Sequence, residues 1–303
     1  MQNIKYLCLL LASPLICNFS ILLAKGEEAT KAKVASALTF HASFDENYDA
    51  DYSLGDGRMY TAQSIKRALV RLGNDRKDVE IAREEGRYGG ALRFLGVSKK
   101  ILYYKAEGIG YEKQDWSGTV SFWLKLDPNK DLKPGYCDPL QITQRGWNDA
   151  ALFIDFDKDL PRDMRLGVFS DIKKWNPGNI PWEEIPVDER PMVVVKRPPF
   201  SSSEWTHVLF TFQGINPKVG SETPGLGSAN LYLNGKWQGT LHRPLHFQWD
   251  VSQAGIMIGI QYIGDFDDLA IFDRALSTQE IQLLTKLTYG VKEIRLGSGM
   301  KGD

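Results

Sequence analysis

Apolar and polar residues alternate along several short segments of the chain, and turn-forming residues separate these segments. The alternation is clearest over 119–126, where valine, phenylalanine and leucine occupy every second position, and it recurs over 38–44, 152–156 and 207–212. A period of two predicts half-buried β-strands. Another such run ends at Asn234-Gly235, a dipeptide that tolerates the positive φ angles of a type I′ hairpin turn. The pattern therefore predicts an all-β protein.

Helical periodicity is sparse by comparison. The segment 64–72 predicts a brief amphipathic helix. Near the end of the chain, Ser277 and Glu280 have the spacing of a capping box, in which each side chain bonds the main-chain amide of the other. This motif predicts a short helix over 278–287. Many short strands with few helices are typical of a two-sheet sandwich.

The first 24 residues have the features of a secretory signal peptide. Lys5 supplies the positive start, residues 6–23 are mostly apolar, and Ala24 offers a small residue for cleavage. The alternative is an uncleaved membrane anchor, for which the run is short and is interrupted by Pro14. We expect an exported protein, in the periplasm, at the cell surface or secreted, with no stable membrane insertion after cleavage.

The remaining chain divides by composition into four parts. Residues 25–36 are small, charged and aperiodic, which predicts a flexible leader, and residues 291–303 form a polar tail. Between them, 37–290 is predicted to be one domain. Within it, 171–199 is rich in proline and carries two tryptophans, so we interpret it as an ordered insertion rather than a linker.

Charge and cysteine content narrow the classes of function. With 37 basic and 38 acidic residues the net charge is −1, which argues against a general role in binding nucleic acid or anionic membranes. Of the 3 cysteines, Cys8 and Cys17 lie in the signal segment. Cys137 would then be alone, and we expect a free structural thiol rather than a disulfide.

Six motifs, taken in order, resemble laminin-G-like domains of the concanavalin A-like lectin and glucanase family. This resemblance implies a two-sheet antiparallel jelly roll with a short C-terminal helix, covering essentially all of the predicted domain. The insertion departs from the compact family pattern. The motifs are Phe44-Asp45-Glu46, the Gly-Gly-Ala-Leu-Arg-Phe of 89–94, the strand 119–125, the Glu-Trp-Thr-His-Val of 204–208, the Leu-Tyr-Leu-Asn-Gly of 231–235, and the closing strand and helix of 264–281.

The resemblance also implies a calcium site. Family members often hold calcium with one aspartate near the opening strand and one in the closing strand, which here match Asp45 and Asp267, with Asp268 as a further candidate. Alternation places Asp267 on the same, core-facing side as Leu269 and Ile271. The alternative is that Asp267 only accepts hydrogen bonds from main-chain amides.

Aromatic and polar side chains give the candidates for ligand binding. Trp123, His207 and His41 alternate with the apolar residues of their strands, so we expect them on an outer sheet face, where sugars could stack. The alternative is that the insertion covers this face. A second set lies in predicted loops and either binds ligand or pins the loops to the sheet: Trp147, Trp175, Trp182 and Arg145.

A search for catalytic motifs finds no Glu-x-Asp-x-x-Glu strand of the kind used by retaining glycosidases on this fold, and neither a Gly-x-Ser-x-Gly nor a His-Glu-x-x-His motif. We therefore expect an exported non-catalytic module that binds carbohydrate or another extracellular partner, such as a protein. Two alternatives stay open, namely a structural or adhesion component of a surface assembly and a polysaccharide-degrading enzyme with an unfamiliar site.

Overall fold

The alternating segments form two antiparallel sheets that face each other across an apolar core. The computed structural model describes residues 14–218 and 225–299. In chain order the strands are β1 (Leu38–Ala42), β2 (Tyr52–Ser53), β3 (Tyr60–Ala62), β4 (Val70–Leu72), β5 (Val79–Ala82), β6 (Ala91–Phe94), β7 (Ile101–Lys105), β8 (Trp116–Lys125), β9 (Cys137–Thr143), β10 (Ala151–Phe156), β11 (Met164–Phe169), β12 (Met192–Val195), β13 (Thr206–Ile215), β14 (Gly227–Leu233), β15 (Lys236–Arg243), β16 (Gly255–Ile260) and β17 (Gly264–Phe272). The helices are α1 (Pro14–Ala35), α2 (Ile172–Trp175), α3 (Thr278–Lys286) and α4 (Val291–Gly297).

Strand order shows that the chain crosses repeatedly between the sheets. The nine-stranded sheet runs β15-β14-β13-β8-β17-β1-β2, with β6 also paired to β17 and β5 paired to β6. The eight-stranded sheet runs β12-β11-β10-β9-β16-β7-β3-β4. Strands distant in sequence therefore lie side by side, as in the jelly-roll sandwich that the resemblance implied.

The core lies between the two inner faces and consists mainly of aromatic and branched side chains. Phe40 of β1 and Tyr104 of β7 make an edge-to-face contact across the sandwich, with ring centroids 4.9 Å apart. Phe122 and Phe266 stack within the nine-stranded sheet at 5.0 Å. These rings are fully buried, and large buried aromatics dominate the energetics of such cores.

The predicted strands and hairpin are confirmed. The runs 38–44, 119–126, 152–156 and 207–212 fall on β1, β8, β10 and β13. The turn between β14 and β15 has positive φ at both central residues, 49° at Asn234 and 71° at Gly235. This is the backbone of a type I′ turn, which matches the twist of paired strands.

Three predictions of local structure are wrong. The segment 64–72 is not a helix, because its last residues form β4, which pairs with β3 at the edge of the eight-stranded sheet. Residues 25–35 are the second half of α1 rather than a flexible leader, and Val34 and Ala35 are completely buried. The predicted polar tail begins with α4, whose apolar side is also buried.

The helices form a layer on the outer face of the nine-stranded sheet. α1 contacts both α3 and α4 there, and the buried residues of the three helices share an apolar cluster with Leu209, Ala270 and Phe272 of the sheet. The signal-peptide prediction concerns 1–24, of which 1–13 lie outside the described residues. None of the helices in the described ranges is long and apolar enough to cross a membrane.

The segment 171–199 covers part of the outer face of the other sheet. It contains α2, two 3-10 turns (Trp182–Glu184 and Val187–Glu189) and β12, which pairs with β11 as the edge strand. The outer faces of the two sheets are therefore covered differently, one by helices and the other by a loop that leaves a cavity beside it.

Candidate functional site

The candidate site lies on the outer face of the eight-stranded sheet, over β9, β10 and β11. Side chains alternate between the two faces of a strand. Leu152 and Ile154 of β10 point into the core, whereas Phe153 and Asp155 point outward. Polar residues within these strands thus converge on a face that would otherwise be apolar.

The floor of the site is Phe153, which is stacked on Phe169. Phe153 and Phe169 stack with ring centroids 5.4 Å apart. The ring of Phe153 lies against Gly167, where a Cβ atom would be only 2.1 Å from the phenylalanine Cζ. Any side chain at position 167 would displace Phe153, so glycine is required for the ring to lie flat on the sheet.

Two tryptophans form the wall. Trp147 follows β9, and Trp182 begins a 3-10 turn of the segment 171–199. Their rings meet edge to face, with centroids 5.0 Å apart and planes at 87°. The guanidinium of Arg190 lies over the Trp182 ring, 4.2 Å from its centroid. Trp147 is 37% exposed, so part of its ring stays available to a ligand.

The floor and wall enclose a cavity of about 270 Å³. This volume is near the lower end of the roughly 300–1,000 Å³ found for small-molecule pockets. Its lining combines aromatic rings with several charged and polar groups: Ile65, Tyr136, Asp138, Gln141, Trp147, Phe153, Asp155, Arg165, Trp182, Glu183 and Met192.

Gln141 is the most unusual residue of this lining. Its side chain is fully buried at the centre of β9. Neither its Nε2 nor its Oε1 has a hydrogen-bond partner among the described residues. An unpaired buried amide costs about 1–3 kcal/mol, because the group has lost its bonds to water without replacement. A ligand with hydroxyl groups would supply both a donor and an acceptor.

The charges of the cavity are arranged around Arg165. Its Nε donates to Oδ1 of Asp155 at 2.8 Å, its Nη2 donates to the other Asp155 oxygen, and Nη1 lies 3.1 Å from Asp157. Burial raises the pKa of the Asp155 carboxyl, and the paired guanidinium opposes this rise. Burial also raises the pKa of Asp138 well above its usual range, and the negative charge of Asp155 adds to that effect.

The structure separates the four residues predicted in loops. Trp147 and Trp182 line the cavity. Trp175 instead donates from Nε1 to the Asn148 carbonyl at 2.8 Å and packs edge to face on Phe169. Arg145 pairs with Asp171 at the start of α2. These last two residues hold the loop against the sheet and do not line the cavity.

Trp123, His207 and His41 lie on an outer sheet face as predicted, but they are not exposed to a ligand. Trp123 is 5% exposed, stacks on His207 at 4.7 Å and is covered by Arg87 and Tyr88. The cover comes from the C-terminal helices and the loop around residue 88, not from the predicted insertion.

The buried histidines serve the packing of this covered face. Burial lowers the pKa of His207 to about 3, and the charge of Arg87 adds to the shift, so the ring is neutral at physiological pH. His207 Nε2 lies 2.8 Å from Ser121 Oγ. His41 Nε2 donates to Asp268 Oδ1 at 2.8 Å. Both residues are therefore structural groups on the side of the sandwich away from the cavity, although Nδ1 of His41 has no hydrogen-bond partner among the described residues.

Asp267 does not share a face with Leu269, because the strand is irregular at this point. Asp268 has a φ of 52°, and the register of β17 against β8 shifts between Asp267 and Ala270. Asp267 consequently lies opposite Trp123, on the outer face. A bulge of this kind reverses the alternation that the sequence pattern assumes.

The three aspartates predicted to bind calcium mainly bind main-chain amides. Asp267 Oδ2 accepts from the Tyr88 amide at 3.0 Å, Asp45 Oδ1 accepts from Gly90 at 3.1 Å, and Asp268 accepts from Val291. The carboxylates of Asp45 and Asp267 thus hold the same turn.

These donors fit a calcium ion only in part. Oδ1 of Asp267 is buried without a partner among the described residues, which suits a cation. Lys292, however, already places its ammonium 3.1 Å from Asp45. Within 14–218 and 225–299, no three acidic, histidine or cysteine side chains are grouped to hold a metal. Calcium at this locus stays a prediction.

Sequence reasoning missed the polar half of the cavity, namely Asp138, Gln141, Asp155 and Arg165. These residues come from three strands, and only the register of β9, β10 and β11 brings them together. One signal was present in the sequence. Asp155 interrupts the otherwise apolar strand β10, and such a polar position indicates a strand face that differs from the core face.

Solved structures with a similar fold are distant in sequence. The binding domain of Paraclostridial Mosquitocidal Protein 1 is 16% identical, with a TM-score of 0.51, and the match covers 83% of this chain and 52% of that one. Domain 4 of an extracellular arabinanase from Geobacillus stearothermophilus, in complex with arabinotriose, is 16% identical with a TM-score of 0.48, over 81% and 96%. The receptor-binding domain of botulinum neurotoxin type G is 13% identical with a TM-score of 0.47, over 82% and 51%.

The chain spans about half the length of the two toxin structures. The likeness to the binding domain of Paraclostridial Mosquitocidal Protein 1 shows the fold and no more. Among curated proteins, no sequence matches this one. A family model described as the concanavalin A-like lectin/glucanases superfamily matches residues 111–282, more than half of the chain and most of both sheets. The chain belongs to the concanavalin A-like lectin/glucanase superfamily, in its laminin-G-like branch.

Proposed function

We propose that this protein is an exported binding module for carbohydrate and that the aromatic cavity over β9–β11 is its binding site. The observation that carries the proposal is Gln141, a fully buried amide in the cavity wall whose nitrogen and oxygen both lack partners among the described residues. A sugar brings adjacent hydroxyl groups, each of which donates and accepts.

The rest of the cavity suits the same kind of ligand. Sugars present apolar C–H faces that pack on aromatic rings and hydroxyl edges that need polar partners. Trp147 offers a partly exposed ring, and Asp138 and Gln141 supply polar groups beside it. A cavity of about 270 Å³ suits one terminal sugar ring rather than a long stretch of chain. Membership in a superfamily named for lectins also supports a binding role.

Binding accounts for the carboxylates better than hydrolysis does. A retaining glycosidase needs one protonated carboxyl and one free carboxylate as the nucleophile. Asp138 has the raised pKa of an acid. Both oxygens of Asp155 beside it, however, accept hydrogen bonds from Arg165. Asp155 is therefore held as part of an ion pair and is a poor candidate for a nucleophile.

A glycan array followed by calorimetry tests the proposed function. We expect discrete glycans to bind, and we expect Trp147→Ala and Gln141→Ala to weaken binding at least about tenfold, because each removes a contact that the ligand makes in a desolvated site. Trp237→Ala is the matched control. Trp237 is 60% exposed on β15, away from the cavity, so its loss should leave the affinity unchanged.

Two results would contradict the proposal. Reproducible absence of binding on the array would favour the structural or adhesion alternative. Binding that survives in both cavity variants would place the ligand elsewhere on the molecule. Thermal melting of each variant separates loss of a contact from loss of the fold. Export is tested separately by cell fractionation, with N-terminal sequencing to find whether cleavage follows Ala24.

A further inference from the structure

Asp138 stands apart from the other charged residues of the cavity. Its side chain is partly exposed to the cavity on β9. Among the described residues, no Lys, Arg or His nitrogen lies within 4.0 Å of its carboxyl oxygens, and no side chain or main-chain amide donates a hydrogen bond to them. Asp155 and Asp157, by contrast, both pair with Arg165.

The two arginines near Asp138 make their direct contacts with other groups of the protein. Arg165 lies over the Tyr136 ring while it pairs with Asp155 and Asp157. Arg190 lies over the Trp182 ring and donates to the carbonyls of Ile185 and Trp182, each at 3.1 Å. The Arg165 charge still acts on Asp138 from a longer distance and opposes the rise of its pKa. A carboxylate in a largely desolvated cavity therefore faces aromatic rings without a directly paired counter-ion from the described part of the chain, an arrangement that favours a cation supplied by the ligand.

We propose that the cavity selects an amino sugar, whose ammonium group pairs with Asp138 while Gln141 bonds a neighbouring hydroxyl. This inference rests on the proposed carbohydrate function and names the class of sugar. The aromatic walls support it, because the faces of tryptophan and tyrosine rings attract cations. Sugars that carry a carboxylate would instead meet Asp138 and Glu183, two negative groups of the lining.

The charge of Asp138 gives the interaction a definite dependence on pH. The titratable groups that face it are Asp155 on β10, Arg165 on β11, Tyr136 before β9 and Glu183 in the 3-10 turn. Burial and the Asp155 charge raise the pKa of Asp138. The ammonium needs the ionised carboxylate, so affinity for an amino sugar should fall as the pH is lowered through that raised pKa.

Calorimetry with four probes tests the inference on the full-length protein. The probes are a glucosamine trimer, the N-acetylated glucosamine trimer, cellotriose and a galacturonic acid trimer. A charge-assisted hydrogen bond predicts that the glucosamine trimer binds at least about tenfold more tightly than the two neutral trimers. The galacturonic acid trimer should bind most weakly.

Asp138→Asn keeps the shape of the side chain and removes its charge. In this variant the advantage of the glucosamine trimer should disappear, while the neutral trimers keep their affinity and the melting temperature stays the same. Glu184→Gln is the matched control, because Glu184 is an exposed carboxylate of the same 3-10 turn that does not line the cavity, and the loss of its charge should leave the preference intact.

The outcomes distinguish this inference from the proposed function. Neutral trimers that bind as tightly as the glucosamine trimer would overturn the inference and leave the carbohydrate function in place. A preference that persists in Asp138→Asn would also overturn it. A lysine derivative with a blocked α-amino group and a blocked carboxyl group carries the ammonium without a sugar. If it binds as well as the glucosamine trimer, the site recognises the charge alone, and the inference fails. If no probe and no arrayed glycan binds, both proposals fail.

Discussion

Glu280 shows how one buried carboxylate joins the closing strand to the helix that follows it. The residue is 2% exposed and accepts from the Ser277 amide at 2.8 Å, which completes the capping box with Ser277. Arg274 binds both of its oxygens, at 2.8 and 2.9 Å. Burial disfavours the charged form, but the bonds from Arg274 and Ser277 outweigh it and lower the pKa of Glu280 to about 2.

Replacing this carboxylate should destabilise the protein in a manner that depends on pH. An unfolded glutamate has a pKa of about 4.3. Because the folded pKa is lower, the stabilisation is fully present above about pH 4.3 and is lost as the pH falls toward 2. We expect Glu280→Gln to lower the free energy of unfolding by about 2 kcal/mol at pH 7. Urea titrations should show that this difference shrinks below pH 4, whereas the exposed control Glu46→Gln should show almost no change at either pH.

Calcium binding near Asp45 and Asp267 also depends on single residues, above all on Lys292. If the ion binds there, we expect it to displace the Lys292 ammonium, which lies 3.1 Å from Oδ2 of Asp45, because two cations so close together repel each other. After EDTA treatment, about 5 mM calcium should then raise the melting temperature, and the rise should be larger in Lys292→Ala. Melting temperatures that do not respond in either protein would contradict the calcium prediction.

Of all the elements, the helices on the nine-stranded sheet were the hardest to predict from the sequence. Residues 25–36 are charged and show no helical period, yet α1 continues through them to Ala35. The reason is tertiary. Lys31 pairs with Glu293 of α4 at 2.9 Å, and Val34 is buried against the other helices and the sheet. A single buried turn carries too little periodicity to be recognised along the chain.

This layer should contribute to the stability of the sandwich. We expect Val34→Asp to lower the free energy of unfolding by at least about 2 kcal/mol, because it places an unpaired charge in an apolar cluster. Glu28→Ala, at an exposed position of the same helix, is the control and should change stability by less than about 0.5 kcal/mol. Equal effects of the two substitutions would show that α1 does not pack on the domain in solution.

Elements were predictable where a local signal agreed with the final packing. The central strands β8, β10 and β13 alternate over their length, and the box of Ser277 and Glu280 sets the start of α3. The errors occurred where pairing with another strand, or a bulge in the ladder, determined the local structure. Leu72 belongs to a strand because it pairs with Tyr60 of β3, and Asp267 changed face because of a bulge at Asp268. No pattern within a single segment contains these pairings.

Only the aromatic half of the candidate site was predictable, because the polar half depends on strand pairing. Trp147 and Trp182 stand out in the sequence as tryptophans in loops, and both reach the cavity. Asp138, Gln141 and Arg165 come from different strands and have no shared motif. Strand register brings these side chains together on one face of the sheet. The site could therefore not be predicted without knowing which strands pair and in which register.

At the scale of the whole molecule, both sheets share one apolar core. Residues from nearly every strand belong to a single buried cluster, which includes Phe40, Phe122, Leu152 and Ile256. Neither sheet can bury its inner face without the other, so we expect unfolding to be one cooperative transition. Cys137 belongs to this cluster at the start of β9 and is 1% exposed.

Thiol labelling of Cys137 tests that cooperativity. In a variant with Cys8→Ser and Cys17→Ser, Cys137 is the sole cysteine. Burial raises the pKa of its thiol well above the usual range, so the native protein should react very slowly with a thiol reagent. Across a urea titration, we expect labelling of Cys137 to increase at the same denaturant concentration as the change in tryptophan fluorescence. Labelling at a clearly lower concentration would mean that the start of β9, an inner strand of the eight-stranded sheet, opens before the rest of the core, and that the two sheets do not unfold as one unit.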